Sequence, residues 1–355
     1  WAKLLMSIFD EDINEIIGSG IEWGKFHGKT ILVSGAAGFI GSYIVNTFMS
    51  LITQKKEDIS LYVMVRDKSR AEQKFHKFTE LENFNIVEWD LQKIEIPALP
   101  EFDYIFHAAS QASPKYYGID PVGTILPNTI GTASLLNLLK KNIKRNEGGF
   151  LFISTSEVYG NTDGVTSLKE TDYGIIDPTA VRSCYSESKR LGETLCVSWS
   201  HQFGAPVYIV RPFHTYGPGL KRDDGRVFAD FVFNVLDGQD IIMNSDGSAV
   251  RAFCYISDAI VGIFKVLQDG EIRMPYNLAN KNGELSIKEL AKLLTGLSPE
   301  KKLRVQFAKK ESGSYLQSKV QNSTPNTESL ESLGWSAKIT PKVGFSKMIK
   351  SYEVN

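Results

Sequence analysis

The chain has 355 residues, of which 42% are apolar, 23% charged and 11% aromatic, an ordinary globular balance that excludes a fibrous repeat or a disordered chain. Its 40 lysines and arginines nearly cancel 41 aspartates and glutamates, leaving −1, so no field draws it to nucleic acid or an anionic membrane. Cys184, Cys196 and Cys254 are far apart, without CxxC or Cys/His ligand spacing; no metal site or disulfide framework is expected, and reduced thiols fit a cytoplasmic protein.

A leader over residues 1–28 carries an amphipathic stretch, Ile8 to Ile17. Its acids Asp10, Glu11, Asp12 and Glu15 have the wrong charge for a secretory signal. Apolar runs throughout the chain fall well short of the roughly 20 residues that span a bilayer, so no membrane insertion is expected. Thr30 to Val33 reads as a buried strand, Phe39 to Phe48 as a helix, and Leu61–Val65 and Asp103–His107 as further strands. Thr124 to Lys141 has a broad leucine face and predicts a helix, and Phe150–Ile153 a strand. Asp177-Pro178 is expected to open a long helix that ends at Gly204, followed by a strand at Val207–Val210. Past Phe213 come a turn-rich charged loop at 217–225, a helix over Val227–Leu236, and short helices at 259–267, 287–294, 328–333 and 342–352. A loop is expected over 311–325.

Strands that are apolar throughout and alternate with helices mean a parallel sheet covered on both faces. The fold class is therefore α/β, a doubly wound Rossmann-type sheet with a smaller C-terminal α/β substrate lobe. The expected division is a dinucleotide-binding domain over 29–212, with a later contribution from 251–280, and a substrate-binding lobe over 213–250 and 281–355.

Between the first strand and helix lies Gly35-Ala36-Ala37-Gly38-Phe39-Ile40-Gly41. Glycines in such a loop serve a tight turn, close approach to a pyrophosphate, and close packing of helix on strand. At the end of the second strand an acid would bind a ribose 2′-hydroxyl and a base a 2′-phosphate. Here Arg66 and Asp67 stand together with Arg70 nearby, which leaves NAD and NADP both open.

Tyr185 and Lys189 are four apart on the long predicted helix and share a face. A free phenol, with a pKa of about 10, is a poor base at neutral pH, and a neighbouring ammonium is expected to favour the phenolate. Ser154-Thr155-Ser156-Glu157 follows a strand, at the sheet end where open α/β folds bind ligands.

Taken in order, GxxGxxG, Ser-Thr-Ser-Glu-Val-Tyr-Gly at 154–160, YxxxK, and Arg-Pro-Phe-His-Thr-Tyr-Gly-Pro at 211–218 resemble the extended short-chain dehydrogenase/reductase family. This is the family of NAD-dependent nucleotide-sugar epimerases, dehydratases and decarboxylases, and the resemblance runs from Lys29 to Lys350. Ala112-Ser113-Pro114 with Tyr117, Arg182-Ser183-Cys184-Tyr185, Asp224-Gly225-Arg226-Val227 and Arg251-Ala252-Phe253 are most similar to the UDP-glucuronate decarboxylases.

The resemblance implies a tightly held NAD, a nucleotide-sugar substrate, a transient 4-keto sugar and loss of carbon dioxide. It implies that Tyr185 takes the sugar 4-hydroxyl proton, that Thr155 hydrogen-bonds the same oxygen, and that Ser156 and Glu157 orient the sugar and manage the proton at C5. It places Asp67, Asp90, Leu91, Ala108 and Ala109 beside the cofactor, with His107 packing there, and Tyr117, His214, Arg226 and Arg251 toward substrate. It also implies a homodimer built on the two long helices and a role in cell-surface polysaccharide synthesis.

Three positions depart from the decarboxylase pattern: His214 replaces an asparagine, Arg66 an acid, and Ser34 a threonine. Ser154–Glu157 is also similar to GDP-mannose 4,6-dehydratases, whereas Ser156 stands where dTDP-glucose 4,6-dehydratases carry an acid. Dehydration and C4-epimerisation are thus the alternatives to decarboxylation. A catalytically silent NAD(P)-binding sensor is the alternative from another class, opposed by the presence of Tyr185, Lys189, Thr155 and Glu157.

Overall fold

A computed structural model describes residues 6–353 apart from 142, 146, 163, 166 and 309–321. In chain order the first half contains α1 (Ile8–Ile17), β1 (Lys29–Ser34), α2 (Phe39–Gln54), β2 (Ile59–Val65), α3 (Lys68–Lys74), β3 (Phe84–Glu88), β4 (Tyr104–His107), α4 (Pro121–Asn128), α5 (Ile130–Leu136) and β5 (Gly149–Ile153). The second half contains α6 (Ser183–Phe203), β6 (Val207–Pro212), β7 (His214–Tyr216), α7 (Val227–Leu236), β8 (Ile241–Met243), β9 (Val250–Tyr255), α8 (Ile256–Asp269) and β10 (Pro275–Leu278). It closes with β11 (Glu284–Ser286), α9 (Ile287–Gly296), β12 (Val305–Phe307), β13 (Asn322–Ser323), α10 (Glu328–Glu331) and α11 (Pro341–Glu353).

Seven strands form the main sheet in the order β10-β6-β5-β4-β1-β2-β3, and every pairing is parallel. The strand order reverses between β1 and β4, the crevice where such sheets bind ligands. Side chains alternate between two cores. Ile31, Val33, Phe106 and Leu151 face one that includes Phe26, Phe48 and Phe264, while Leu32, Ile105, Phe150 and Phe152 face one that includes Leu135 and Cys196. With both faces covered, strand interiors are apolar at every position, which is what makes them readable as buried runs.

Beyond the sheet, β9 is the centre of a small sheet, paired antiparallel with β11 and parallel with β7 and β13, and β8 pairs with β12. Residues 311–321 of the expected loop lie outside the described residues, and the segment's end forms β13. The leader helix α1 is tied to the body through Asp12, which is fully buried. Asp12 accepts from Tyr43 (3.1 Å) and Tyr255 (2.8 Å) and pairs with Lys347 (2.7 Å).

Two helix expectations are corrected. The helix expected over 124–141 is two helices broken at Thr129 (φ −116°, ψ −81°), whose N–H closes a tighter turn on the Leu126 carbonyl (3.2 Å). The chain then leaves the helix after Leu136, and Leu139 bridges to Phe102 beside the sheet. The long helix begins at Ser183 rather than Asp177: Asp177 accepts the Thr179 N–H (2.9 Å) and hydroxyl (2.6 Å), closing a local turn that precedes the helix.

Candidate active site

The glycine loop is shaped by close contacts that side chains would prevent. Gly35 has φ +65°, and a Cβ there would lie 2.6 Å from the Ala109 backbone; one at Gly41 would lie 2.3 Å from the Gly35 carbonyl oxygen. These two positions seat α2 against β1 and the end of β4. Gly38 caps α2 without a side chain, so the first-turn N–H groups of a 16-residue helix meet no capping oxygen from it. An exposed helix start behind a tight loop suits the pyrophosphate of a dinucleotide.

His107 braces the strand ends. Its Nε2 donates to the Pro127 carbonyl (3.1 Å), Nδ1 accepts from Ser34 Oγ (2.8 Å), and Ser34 Oγ accepts the Ala109 N–H (3.3 Å). Complete burial lowers the ring to about 3, so it is neutral and structural. Asp90 accepts the Gln92 N–H (3.1 Å), and Leu91 packs under Gly131, next to these strand ends. Ser110, just past β4, has a buried hydroxyl with no partner among the described residues. Asp67 caps α3 by accepting the Arg70 N–H (2.9 Å), and Arg66 is exposed.

At the end of β5, Thr155 Oγ1 accepts the Glu157 N–H (3.2 Å) and hydrogen-bonds the Tyr185 phenol. Glu157 is held by Arg182, whose Nη1 and Nη2 reach its two oxygens at 2.9 and 3.3 Å. Arg182 also lies over the Tyr117 ring (5.6 Å), and Tyr117 stacks on Tyr185 (5.2 Å, 15°) while donating to the Ala112 carbonyl (3.0 Å). Ser156 starts the turn that carries Glu157.

Lys189 departs from its expected effect. Its ammonium donates to the Ile153 carbonyl (2.6 Å) and sits over Phe152, and burial lowers it to about 7. Tyr185 is raised, chiefly by burial; Glu157 pushes the same way, while Thr155 and Arg226 oppose them. The i,i+4 spacing puts Lys189 on the phenol's face, but a β5 carbonyl within reach takes its charge.

A cationic strip leads away from the phenol. Arg226, paired with Asp224 (2.5 and 2.8 Å), acts on Tyr185 and on His214, and Arg251 acts on His214 from β9. His214 is neutral, lowered to about 3 by burial and the two guanidiniums, and its buried Nδ1 has no partner among the described residues. An unpaired ring nitrogen between arginines suits an anionic ligand.

The sequence model of the NAD dependent epimerase/dehydratase family matches residues 31–279. The chain belongs to that family. It is 34% identical over 336 residues to UDP-glucuronic acid decarboxylase 5 of Arabidopsis thaliana, covering 91% of this chain and 89% of that one. It is 38% identical over 269 residues to UDP-glucuronic acid decarboxylase 3 of the same plant, covering 75% and 74%. The crystal structure of UDP-glucuronic acid 4-epimerase from Bacillus cereus, in complex with UDP-glucuronic acid and NAD, superposes with a TM-score of 0.72 at 22% identity, over 92% of this chain and 100% of that one.

Within this family member, sequence reasoning passed over three residues. Arg182 was quoted only as part of a similar stretch, although its place three before Tyr185 put it on the same helical turn. Asn128 donates to Ser188 (3.0 Å), tying α4 to the Tyr185–Lys189 turn of α6. Glu193 joins Ser154 (2.5 Å) to Arg211 (2.9 and 2.7 Å) beneath the site. Neither carries a spacing signal, because each pairing crosses between elements. Among the described residues no cluster of three or more His, Cys, Asp or Glu side chains is arranged to hold a metal, and no helix is long and apolar enough to cross a membrane.

Proposed function

We propose that this protein removes carbon dioxide from a nucleotide-linked hexuronate, UDP-glucuronate foremost, through a transient 4-keto sugar. The observation that carries the reading is the pairing of Glu157 with Arg182 beside the hydrogen-bonded Thr155 and Tyr185. When bound, the dinucleotide supplies a hydride acceptor for C4 and a positive charge that favours the phenolate. The glycine loop from Gly35 to Gly41 and the start of α2 hold its pyrophosphate. Tyr185 accepts the 4-hydroxyl proton, and Thr155 hydrogen-bonds the oxygen that becomes the ketone. The C5–C6 bond then breaks, carbon dioxide departs, and the electron pair passes into the C4 carbonyl. C5 takes up a proton from solvent in place of the departed carboxyl carbon, and Tyr185 returns its own proton to the C4 oxygen as that carbon is reduced.

Arg182 holds Glu157 through one contact to each oxygen, a pairing that suits Glu157 as an orienting group, whereas dehydration requires a base to strip the C5 proton. Decarboxylation needs no such base. Arg226, Arg251 and His214 suit the diphosphate or the carboxylate. The family points to NAD, while Arg66 and Arg70 open the same loop to NADP. Val122 of α4 and Leu191, Val197 and Phe203 of α6 are exposed apolar residues that suit a helix-on-helix homodimer, and three free, buried cysteines suit a reducing cytoplasm.

Mass spectrometry of products from UDP-, GDP-, CDP- and dTDP-sugars tests the reading. Loss of carbon dioxide from a nucleotide hexuronate is expected. Loss of water from a 6-hydroxy sugar, or a change of C4 configuration alone, would replace it with the dehydratase or epimerase. Intact dinucleotide binding without turnover of any sugar would leave the silent sensor.

A further inference from the structure

Three successive residues at the end of β5 are each bonded to a different turn of α6. The Ile153 carbonyl accepts from Lys189 (2.6 Å), the Ser154 hydroxyl donates to Glu193 (2.5 Å), and Thr155 hydrogen-bonds the Tyr185 phenol. Tyr185, Lys189 and Glu193 follow at intervals of four, so they line one face of the helix against the strand end. The roles given above to Tyr185, Lys189 and Thr155 leave the Glu193–Ser154 contact without one.

Glu193 is fixed from its other side. Arg211 of β6 reaches both of its oxygens (2.9 and 2.7 Å), and the pair is buried, with side chains 5% and 13% exposed. Arg211 Nη1 also donates to the Tyr159 hydroxyl (3.0 Å) and the Glu170 carbonyl (2.9 Å). Tyr159, which ends the turn begun at Ser156, donates in turn to Asn277 of β10 (2.5 Å). The ion pair therefore grips the segment 154–159 at both ends. Thr155, Ser156 and Glu157 stand between those grips. A carboxylate held at two points by a guanidinium is a fixed acceptor, and Ser154 bonded to it fixes the backbone from which Thr155 projects.

We propose that Glu193 and Ser154 are positioning residues for the reaction: through the Ser154 hydroxyl, the Glu193–Arg211 pair holds Thr155 against the Tyr185 phenol so that both meet one sugar oxygen. The proposal rests on the roles given to Thr155 and Tyr185 above. Displacing such a group by about 1 Å costs on the order of 10²-fold in rate, even when the altered residue lies outside the reacting atoms.

The test is steady-state kinetics of the full chain, with dinucleotide and the nucleotide sugar it turns over, on Ser154→Ala, Thr155→Ala and the double variant. Ser154→Ala removes one hydroxyl and leaves the ion pair in place, which protects the fold. Its kcat should fall about 10–10²-fold with KM within about twofold. In a chain that already carries Thr155→Ala, the same change should cost less than about threefold, because the group it positions is gone. Glu193→Gln should lower kcat with KM equally unmoved, and its loss should likewise shrink beside Thr155→Ala. Unchanged turnover in Ser154→Ala would overturn the proposal. Losses in the Ser154 and Thr155 variants that multiply independently would also overturn it, by making the network a brace for the fold alone. A raised KM at unchanged kcat would overturn it by placing Ser154 on the substrate. Turnover of a sugar other than a hexuronate would displace the decarboxylase reading alone, since the variants then read the same phenol with that sugar. Absence of any turnover in the unaltered chain would remove the reaction, and this proposal with it.

Discussion

The charge balance around the phenol turns on Arg182, and Arg182→Met exposes it. The change removes both contacts to Glu157 (2.9 and 3.3 Å) while keeping an aliphatic stem against Tyr117. With side chains 22% and 31% exposed, the pair is worth about 1–2 kcal/mol, less than the roughly 3–5 kcal/mol lost on breaking a fully buried pair. Glu157 already opposes the Tyr185 phenolate. Stripped of its guanidinium, it opposes the phenolate more strongly, and about 1.4 kcal/mol corresponds to one pKa unit. The acid limb of the pH–kcat profile should therefore move up by about one unit, followed by chromatography of the nucleotide-sugar product. In the double variant Arg182→Met/Glu157→Gln the charge is gone and the limb should return, a coupling that a double-mutant cycle reads directly. An unmoved limb with collapsed turnover would refute the reasoning, since Arg182 would then be holding substrate.

Tyr185→Phe should cut turnover by about 10²–10⁴-fold while dinucleotide still binds, measured by product formation and by titration; unchanged turnover would remove Tyr185 from its role. Gly41→Ala places a Cβ 2.3 Å from the Gly35 carbonyl, and should lower stability by about 1–3 kcal/mol and weaken dinucleotide binding, read by denaturant melts and calorimetry. His107 sits at about 3 in the folded chain against an ordinary 6.5, so the unfolded chain binds the extra proton between those values and stability falls as pH drops through that window. At pH 5 this one ring costs about 2 kcal/mol relative to pH 8, and His107→Gln should lose correspondingly less between the two, as urea midpoints would show.

The main sheet was legible because its strands are buried on both faces: Ile31 through Val33 and Phe150 through Ile153 are apolar whichever way they point. The leader helix was legible for the opposite reason, a one-sided apolar face that the structure reproduces at Ile8–Ile17. What failed was local. The leucines after Thr124 promised one continuous helix, but the turn at Thr129 divided it and the pairing of Leu139 with Phe102 ended it early. Asp177-Pro178 has the composition of a helix start, yet Asp177 spends its oxygen on a turn and the helix waits for Ser183.

Motif order determined, from sequence alone, that a glycine loop, a strand-end Thr-Ser-Glu and a helical Tyr/Lys pair belong to one chain of a nucleotide-sugar family. Tertiary structure alone decided whom their charges meet. Lys189 faces the Ile153 carbonyl, Glu157 faces Arg182, and Lys74 faces the Ala37 carbonyl. Periodicity fixes which face of an element a residue occupies, but a charge settles on the partner nearest in space, and most of these partners stand tens of residues away along the chain.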